Sequence, residues 1–290
     1  MAATARPRRS MLYMPGSNTR ALEKARELAA DALILDLEDA VSPDAKAAAR
    51  DNVCAAVKAG GYGGRELIIR VNGLDTPWGR DDIAAAAKAQ PHGILLPKVE
   101  SADTVRLAEK LMDEAGAGPD VALWCMMETP RGILRAESIA GATQRLAGFV
   151  MGTSDLVKDL HAHHTPMRLP VLASLALCLL AARAEGLAIL DGVYLDLNDE
   201  EGFAAACRQG LELGFDGKTL IHPKQLAIAN EVFAPSAAEI EHSRKIMAAY
   251  EAARAEGKGV VLVDGKLVEE LHVNNAKRLV ALAEAIAALG

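Results

Sequence analysis

Two carboxylates stand near the ends of two neighbouring apolar segments. Glu128 directly follows the β-prone run 121–127, and Asp155 follows shortly after a second run, 146–151. A predicted helical segment separates the runs, so the two strands should be parallel neighbours with both acids at their carboxyl ends. Paired carboxylates beside small residues suit Mg²⁺, which prefers oxygen ligands. We predict a metal site at Glu128 and Asp155, the alternative being that each acid only caps the next helix.

Arg70 lies near the end of another predicted strand, 66–71. Its guanidinium can bind a carboxylate or a 2-oxo acid through two parallel hydrogen bonds. Asp36 and Glu38 stand at the end of the preceding strand, where they either orient Arg70 or simply form a salt bridge with it. A metal beside an arginine suits a chelated 2-oxo acid whose carbonyl the metal polarises. Making or breaking a carbon–carbon bond next to a carbonyl fits these residues.

Arg20 and Lys24 are separated by one turn of a predicted helix that begins at residue 19. Two cations with this spacing lie on the same helix face. They can hold the phosphates of a substrate, or they are ordinary solvated surface charges. Both interpretations stay open at this point.

The elements that position these residues alternate regularly between strand and helix. Eight strand–helix units predict the α/β class and a (β/α)₈ TIM barrel over residues 8–232, with an open doubly wound sheet as the alternative. No GxGxxG motif follows the first strand, which disfavours a dinucleotide-binding fold. Residues 233–290 form a C-terminal appendage. The polar residues expected at the barrel mouth are Asp36, Glu38, Arg70, Asn72, Lys98, Glu128, Asp155 and Asp191.

Composition excludes several other classes of protein. The 290 residues are 51% hydrophobic, which allows a sizeable core, and the net charge is −7. Without a long basic run, nucleic acid and an anionic membrane are poor candidate partners. The four cysteines show no CxxC spacing, and the basic N-terminal stretch is not followed by an apolar segment. We therefore expect a cytoplasmic protein without a signal peptide.

Seven motifs along the chain carry a family resemblance. In order they are Arg9-Ser10 with Pro15-Gly16-Ser17, Asp36-Leu37-Glu38-Asp39, Arg70-Val71-Asn72-Gly73, Pro97-Lys98-Val99-Glu100, Met127-Glu128-Thr129, Gly152-Thr153-Ser154-Asp155, and Gly214 to Lys218 with Ile221-His222-Pro223. The chain resembles the citrate lyase β-subunit-like branch of the HpcH/HpaI aldolase superfamily, which includes malyl-CoA and citramalyl-CoA lyases. The resemblance covers nearly the whole chain.

The resemblance implies roles for the candidate residues. Glu128 and Asp155 would hold Mg²⁺, and Arg70 would bind the carboxylate of a 2-oxo acid product such as glyoxylate or pyruvate. Asp36 and Glu38 would support Arg70 and the metal-bound waters. The remaining pair, Arg20 and Lys24, would face the phosphates of coenzyme A, which is part of the substrate. The resemblance also implies a homotrimer or hexamer in which a C-terminal helical lid segment closes over a neighbour's site.

The stretch from 264 to 272, DGKLVEELH, resembles the part of that segment that carries a catalytic aspartate. Glu269 stands where the lyases have the aspartate, and the VEELH pattern resembles the malyl-CoA thioesterase branch. The primary expectation is a Mg²⁺-dependent lyase that cleaves a 3-hydroxy dicarboxylic acyl-CoA. The alternatives are a (3S)-malyl-CoA thioesterase that uses the same site, and a non-catalytic subunit that only binds acyl-CoA.

Overall fold

The computed structural model describes residues 6–289, which include a closed barrel of eight parallel strands. The strands are β1 Ser10–Pro15, β2 Ala32–Asp36, β3 Glu66–Arg70, β4 Gly93–Leu96, β5 Ala122–Met127, β6 Leu146–Met151, β7 Ala188–Asp191 and β8 Gly217–Leu220. Each strand pairs with the next in the chain, and β8 returns to pair with β1. The predicted α/β class and (β/α)₈ TIM barrel are therefore confirmed. The beginning of the basic N-terminal stretch lies outside the described residues.

Helices follow the strands around the barrel. They are α1 Thr19–Lys24, α2 Lys46–Ala59, α3 Gly79–Ala89, α4 Ala102–Glu114, α5 Pro130–Leu134, α6 Ala136–Ala140, α7 Thr153–Asp159, α8 Leu172–Ala184, α9 Glu200–Leu213 and α10 Leu226–Val232. Side-chain caps start several of them: Ser101 accepts the N–H of Thr104 at α4, and Asp199 accepts the N–H of Gly202 at α9. Such caps satisfy N–H groups that have no partner within the helix.

Alternation along the strands divides the core into two layers. Ile34 in β2, Ile68 in β3 and Val150 in β6 belong to one buried cluster inside the barrel. Their neighbours, such as Leu35 and Ile69, belong to a larger cluster shared with the helices. Successive side chains of a strand point to opposite faces, so each buried strand supplies both layers. Whether a residue is odd or even along its strand therefore decides which layer it enters.

Trp124 of β5 fills the interior of the barrel. A Cβ atom added to Gly93 of β4 would lie 2.8 Å from its ring, and one added to Gly148 of β6 would lie 2.4 Å away. The flanking strands thus carry glycine where the indole needs space. The Arg8 guanidinium stacks on the same indole, 4.9 Å from the ring centroid, and pairs with Glu66 at 2.6 Å.

Residues 8–233 form one compact unit, and the described residues 234–289 belong to a second one together with residues 6 and 7. The second unit contains α11 Ala237–Ala255, a hairpin of β9 Val261–Val263 and β10 Lys266–Val268, and α12 Glu270–Leu289. Its small core joins Tyr250, Val263, Val268 and Val273. The predicted C-terminal helices are confirmed, whereas their role as a lid remains a prediction.

Several elements differ from the sequence-based prediction. Strand β7 is shorter than the strand that the sequence predicts over residues 188–195, since it ends at Asp191. The helical segment predicted between β5 and β6 is two short helices, because Arg135 leaves the helical conformation between them. The apolar helix α8 is not wholly buried, since Leu177 and Leu180 are 47% and 67% exposed. None of the helices in the described range has the length and apolarity needed to cross a membrane.

Candidate active site

Three charged side chains at the carboxyl ends of strands point into the barrel, because each lies two positions after an interior apolar residue. Asp36 ends β2 and Arg70 ends β3, and the two residues are direct partners in the strand register. Glu128 follows β5 immediately, two positions after the interior residue Met126. Enzymes with this fold carry their catalytic residues at this end of the barrel. The carboxyl ends of β2 to β6 therefore form the candidate active site.

Arg70 is buried and forms a bidentate ion pair with Asp36. Its Nε donates to Oδ1 at 2.6 Å and its Nη2 donates to Oδ2 at 2.7 Å. Asp36 also accepts the backbone N–H groups of Glu38 and Ala40, which fix the carboxylate. The Nη1 atom of Arg70 lies 2.8 Å from Glu38 Oε2. Both acids thus hold the guanidinium in one orientation, and an incoming carboxylate must use its remaining N–H groups.

Glu38 connects Arg70 to Lys98, which stands just after β4. The Lys98 ammonium donates to Glu38 Oε1 at 2.6 Å. Burial raises the pKa of Glu38, and the two cations oppose that effect. Partial burial disfavours the charged form of Lys98, yet Glu38 and the neighbouring acids raise its pKa above the usual value. The contacts with Lys98 and Arg70 thus favour the charged form of Glu38 against the effect of burial.

Glu128 is a deeply buried carboxylate whose position is set from two sides. Its Oε1 accepts the backbone N–H of Lys98 at 2.8 Å. On the other side, a Cβ atom on Gly152 would lie only 2.3 Å from Glu128 Oε2. The side chain is 2% exposed, and burial raises its pKa to about 7. A carboxylate with so little solvent is stabilised in its charged form when a cation lies beside it.

Asp155 lies in the first turn of α7, shortly after β6. The Gly152 N–H donates to the Met127 carbonyl at 3.1 Å, so the pairing of β5 and β6 continues to the point where both acids leave the barrel wall. The Asp155 side chain is 28% exposed and lies 3.8 Å from the Lys98 ammonium. Lys98 thus links Asp155 to Glu38, and its backbone links both to Glu128.

The donor set suits a hard divalent cation. Among residues 6–289, no cluster of three or more histidine, cysteine or acidic side chains is arranged to hold a metal ion. Two carboxylates satisfy Mg²⁺, however, because water and substrate oxygens usually complete its coordination. The site also has an excess of negative charge, since five acids lie beside three cations there. The acids are Asp36, Glu38, Asp39, Glu128 and Asp155, and the cations are Arg70, Lys98 and the largely exposed Lys158.

The predicted phosphate-binding pair lies on α1, which follows β1 at the same end of the barrel. Arg20 and Lys24 are both exposed, and Asn18 caps the helix by accepting the N–H of Ala21. Exposure leaves both cations accessible to a ligand but does not distinguish them from ordinary surface charges. Their contact with coenzyme A phosphates stays a prediction.

Glu269 belongs to the C-terminal unit, between β10 and α12. The residue is exposed, its N–H donates to His272 Nδ1 at 3.1 Å, and its carbonyl accepts the N–H of His272 and Val273. The backbone of Glu269 therefore starts α12, and its side chain is exposed. The catalytic role expected for Glu269 stays a prediction.

Two residues predicted at the mouth serve another purpose. Asn72 donates to the Leu37 carbonyl and to Asp82 of α3. Asp191 follows the interior residue Leu190, so it points toward the helices, where it binds Lys218 and Arg168. Both residues lie at the carboxyl ends of their strands, as expected, but strand alternation turns Asp191 outward and a helix residue engages Asn72.

Sequence reasoning overlooked two residues that enclose Arg70. The Tyr13 ring of β1 lies beneath the guanidinium, with its centroid 4.8 Å from Cζ, and the Met126 sulfur lies 3.6 Å from Nη1. Burial raises the pKa of Tyr13, so the phenol stays neutral. Tyr13 lies two positions after Met11, and Met126 lies two positions after Trp124, so both side chains point into the barrel. This alternation along the strands was the sequence signal that could have identified them.

The chain is more similar to a thioesterase than to a lyase from the same organism. The chain is 55% identical to the (3S)-malyl-CoA thioesterase of Cereibacter sphaeroides, over 100% of this chain and 99% of that protein. The L-malyl-CoA/beta-methylmalyl-CoA lyase of the same organism is 37% identical over 98% of this chain and 97% of its own length. The primary expectation of a carbon–carbon lyase is therefore wrong, because the greater similarity is to the protein named for hydrolysis.

A solved structure shares the fold at lower identity. The CitE protein from Mycobacterium tuberculosis, in complex with magnesium, acetoacetate and coenzyme A, superimposes with a TM-score of 0.74 at 28% identity, over 97% of this chain and 100% of that one. The family model described as HpcH/HpaI aldolase/citrate lyase matches residues 9–223. The match spans the whole barrel and all the acids and cations of the candidate site. The chain belongs to the HpcH/HpaI aldolase/citrate lyase family.

Proposed function

We propose that this chain is a Mg²⁺-dependent thioesterase that hydrolyses a 3-hydroxy dicarboxylic acyl-CoA of the (3S)-malyl-CoA type. The observation that carries the proposal is the 55% identity over the full chain to a (3S)-malyl-CoA thioesterase. The site supports it, since the Arg70 guanidinium suits the carboxylate of such a substrate and the acids beside it suit a divalent cation. Magnesium and coenzyme A are both present in the related CitE structure.

Arg70 recognises the carboxylate of the acyl group in this proposal. Asp36 occupies the Nε and Nη2 edge of the guanidinium, so a substrate carboxylate approaches the Nη1 and Nη2 edge, where it competes with Glu38 and Asp39 for Nη1. Tyr13 and Met126 enclose the guanidinium and limit its contact with water. A charge held in this way loses little conformational entropy when the substrate binds.

Glu128 and Asp155 hold Mg²⁺, which when bound acts as a Lewis acid toward oxygens of the acyl group. Arg20 and Lys24 face the phosphates of coenzyme A. Exposed lysine and arginine side chains contribute to such binding mainly through charge, so their contribution weakens as salt increases.

Glu269 acts as the general base in this proposal, an assignment supported by the resemblance of the 264–272 stretch to the family's catalytic segment. Its carboxylate removes a proton from water while the water oxygen bonds to the thioester carbonyl carbon. The carbon–sulfur bond then breaks, and the proton passes to the departing thiolate of coenzyme A. The products are a free dicarboxylic acid and the coenzyme A thiol.

Product analysis tests the proposal. With (3S)-malyl-CoA as substrate, the purified protein should release one free thiol for each malate formed, and no glyoxylate. EDTA should abolish the release and Mg²⁺ should restore it. The control is the Asp103→Asn variant, which loses an exposed acid on α4 and is treated in the same way. Glyoxylate and acetyl-CoA as the main products would overturn the proposal, and binding without turnover would favour a non-catalytic subunit.

A further inference from the structure

Lys98 has a backbone conformation that lysine rarely adopts. Strand β4 ends at Leu96, and two residues later Lys98 has a φ of 47°, in the left-handed region. Side chains with a Cβ atom are disfavoured there, and such conformations persist when surrounding contacts hold them. The polar contacts of Lys98 within the described residues include three acids of the candidate active site.

Those acids come from three different parts of the barrel. The Lys98 ammonium lies 2.6 Å from Glu38 Oε1, after β2, and 3.8 Å from Asp155 Oδ2, in α7. Its backbone N–H donates to Glu128 Oε1, after β5, at 2.8 Å. One residue therefore orients one predicted metal ligand through its backbone and neutralises another through its side chain.

The two halves of Lys98 differ in how far they can move. The backbone N–H is fixed at the strand end, whereas the side chain is 46% exposed and has four rotatable carbon–carbon bonds. A cation that binds Asp155 would lie within a few ångströms of the ammonium. Charges of the same sign repel at that distance, and water screens the repulsion only in part because Glu38 and Glu128 beside the ammonium are buried.

We infer that Lys98 is a positioning residue whose ammonium serves as a built-in counter-cation for the metal-binding acids and leaves them when a divalent cation binds. The inference rests on the proposed function, because it takes Glu128 and Asp155 as the Mg²⁺ ligands. Without metal, the ammonium keeps Glu38 and Asp155 from repelling each other. With metal, the two cations compete for the same acids, so Lys98 weakens Mg²⁺ binding while its N–H still orients Glu128.

Removing the Lys98 ammonium separates its role as a counter-cation from the role of the backbone N–H, which orients Glu128. Lys98→Met keeps an unbranched side chain, one heavy atom shorter, and the backbone N–H but removes the charge. In the metal-free protein, we expect a melting temperature lower by about 3 °C or more, because the acids repel one another. In a calorimetric titration with MgCl₂ alone, we expect the dissociation constant to fall by about tenfold, because the competing charge is gone.

Two further variants serve as controls. Lys158→Met removes an ammonium that lies 3.5 Å from Asp155 Oδ1 but is 73% exposed, and its effect on Mg²⁺ affinity should be less than about twofold. Lys98→Arg retains a cation and should restore both the metal-free melting temperature and the wild-type affinity. Circular dichroism of each variant confirms that the fold is intact.

The possible outcomes are distinct. Mg²⁺ affinity that is unchanged or weaker in Lys98→Met overturns the inference, as does an equal increase in Lys158→Met. Malyl-CoA hydrolysis by the wild-type protein is measured separately. If hydrolysis and Mg²⁺ binding by the wild type are intact, such a result rejects the role of Lys98 alone. A wild-type protein that binds no Mg²⁺ rejects the inference together with the metal part of the proposed function.

Discussion

The guanidinium of Arg70 is oriented before any substrate arrives. Asp36 holds two of its nitrogens, Glu38 lies beside a third, and Tyr13 supports its face. Burial alone would disfavour this charge, but the neighbouring acids raise its pKa well above the usual value. A fixed guanidinium presents a defined pair of donors, which a flexible ammonium cannot do.

The first residue-scale prediction is that Arg70→Lys lowers kcat/KM by more than about tenfold. The ammonium keeps the charge but cannot bind Asp36 and a substrate carboxylate in two parallel pairs. Steady-state kinetics with (3S)-malyl-CoA measure the effect. Arg183→Lys is the matched control, since its guanidinium is 40% exposed and binds Asp216. A lysine variant with the wild-type kcat/KM would disprove the assignment of Arg70.

At the scale of elements, the turn that follows β6 shapes the site. Gly152 lies against Glu128, and its N–H continues the pairing of β6 with β5. A larger residue at this position meets a carboxylate that is itself held by the Lys98 N–H on its other side. Two neighbouring strand ends thus determine the position of one predicted metal ligand.

We predict that Gly152→Ala weakens Mg²⁺ binding by about tenfold or more, because the added Cβ would lie 2.3 Å from Glu128 Oε2 and displace it. Isothermal titration calorimetry measures the change. Gly141→Ala is the control, since the nearest atom to its added Cβ lies at 3.7 Å, an ordinary contact. Equal affinities for Mg²⁺ in the Gly152 variant and the wild type would contradict this account of the turn.

A buried cluster of charged side chains joins β7 to β8 and to the segment that carries Arg168. It lies on the face of β7 that points toward the helices. Asp191 binds Lys218 of β8 at 2.8 Å and accepts two hydrogen bonds from Arg168 at 2.7 Å. Burial disfavours the Asp191 carboxylate, but the two cations together hold its pKa below the usual value. Removing one partner from such a cluster leaves buried charge without compensation.

Asp191→Asn should therefore lower the free energy of unfolding by about 3 kcal/mol at pH 7. A folded-state pKa below the unfolded value stabilises the protein at higher pH, and this contribution is lost as pH falls below about 4. The difference between wild type and variant should shrink over that range in urea titrations. Asp103→Asn, at a side chain that is 91% exposed, should change little. A difference independent of pH would refute the role assigned to the carboxylate.

For the whole molecule, the division into two units assigns the predicted catalytic residues to different parts of the chain. The barrel unit contains Arg70, Glu128 and Asp155, whereas Glu269 lies in the C-terminal unit. The resemblance implies that this segment closes over a neighbouring subunit in a homotrimer or hexamer. If each site combines residues from two chains, two different inactive variants can form an active site together.

We predict that Glu269→Gln and Arg70→Ala chains are each nearly inactive and that a mixture of the two regains activity after subunit exchange. A mixed oligomer contains sites in which an intact Arg70 meets an intact Glu269 from the neighbour. Hydrolysis of (3S)-malyl-CoA before and after mixing measures the recovery. Glu270→Gln, a neighbouring exposed residue, is the control and should remain active. Absence of recovery after proven exchange would place both residues in the site of one chain.

Local sequence signals determined much of this protein. The alternation of apolar strands and helices was sufficient for the barrel, because each strand must be buried on both faces and each helix on one. The position of Glu128 directly after its strand was sufficient to place it at the carboxyl end. The same reasoning identified Arg70 with Asp36 and Glu38 as partners, since adjacent strands bring their ends together.

Tertiary structure decided the remaining features, because they depend on direction and distance between segments far apart in the sequence. Asp191 sits at a strand end like Arg70, yet its position next to Leu190 turns it toward the helices. Lys98 contacts acids from three other segments, and its backbone adopts a left-handed conformation that no local sequence pattern indicates. Glu38 is 60 residues away from Lys98 along the chain, and no local pattern encodes that contact. Closure of the barrel brings the two residues together, and with them the charges that a metal and a substrate would meet.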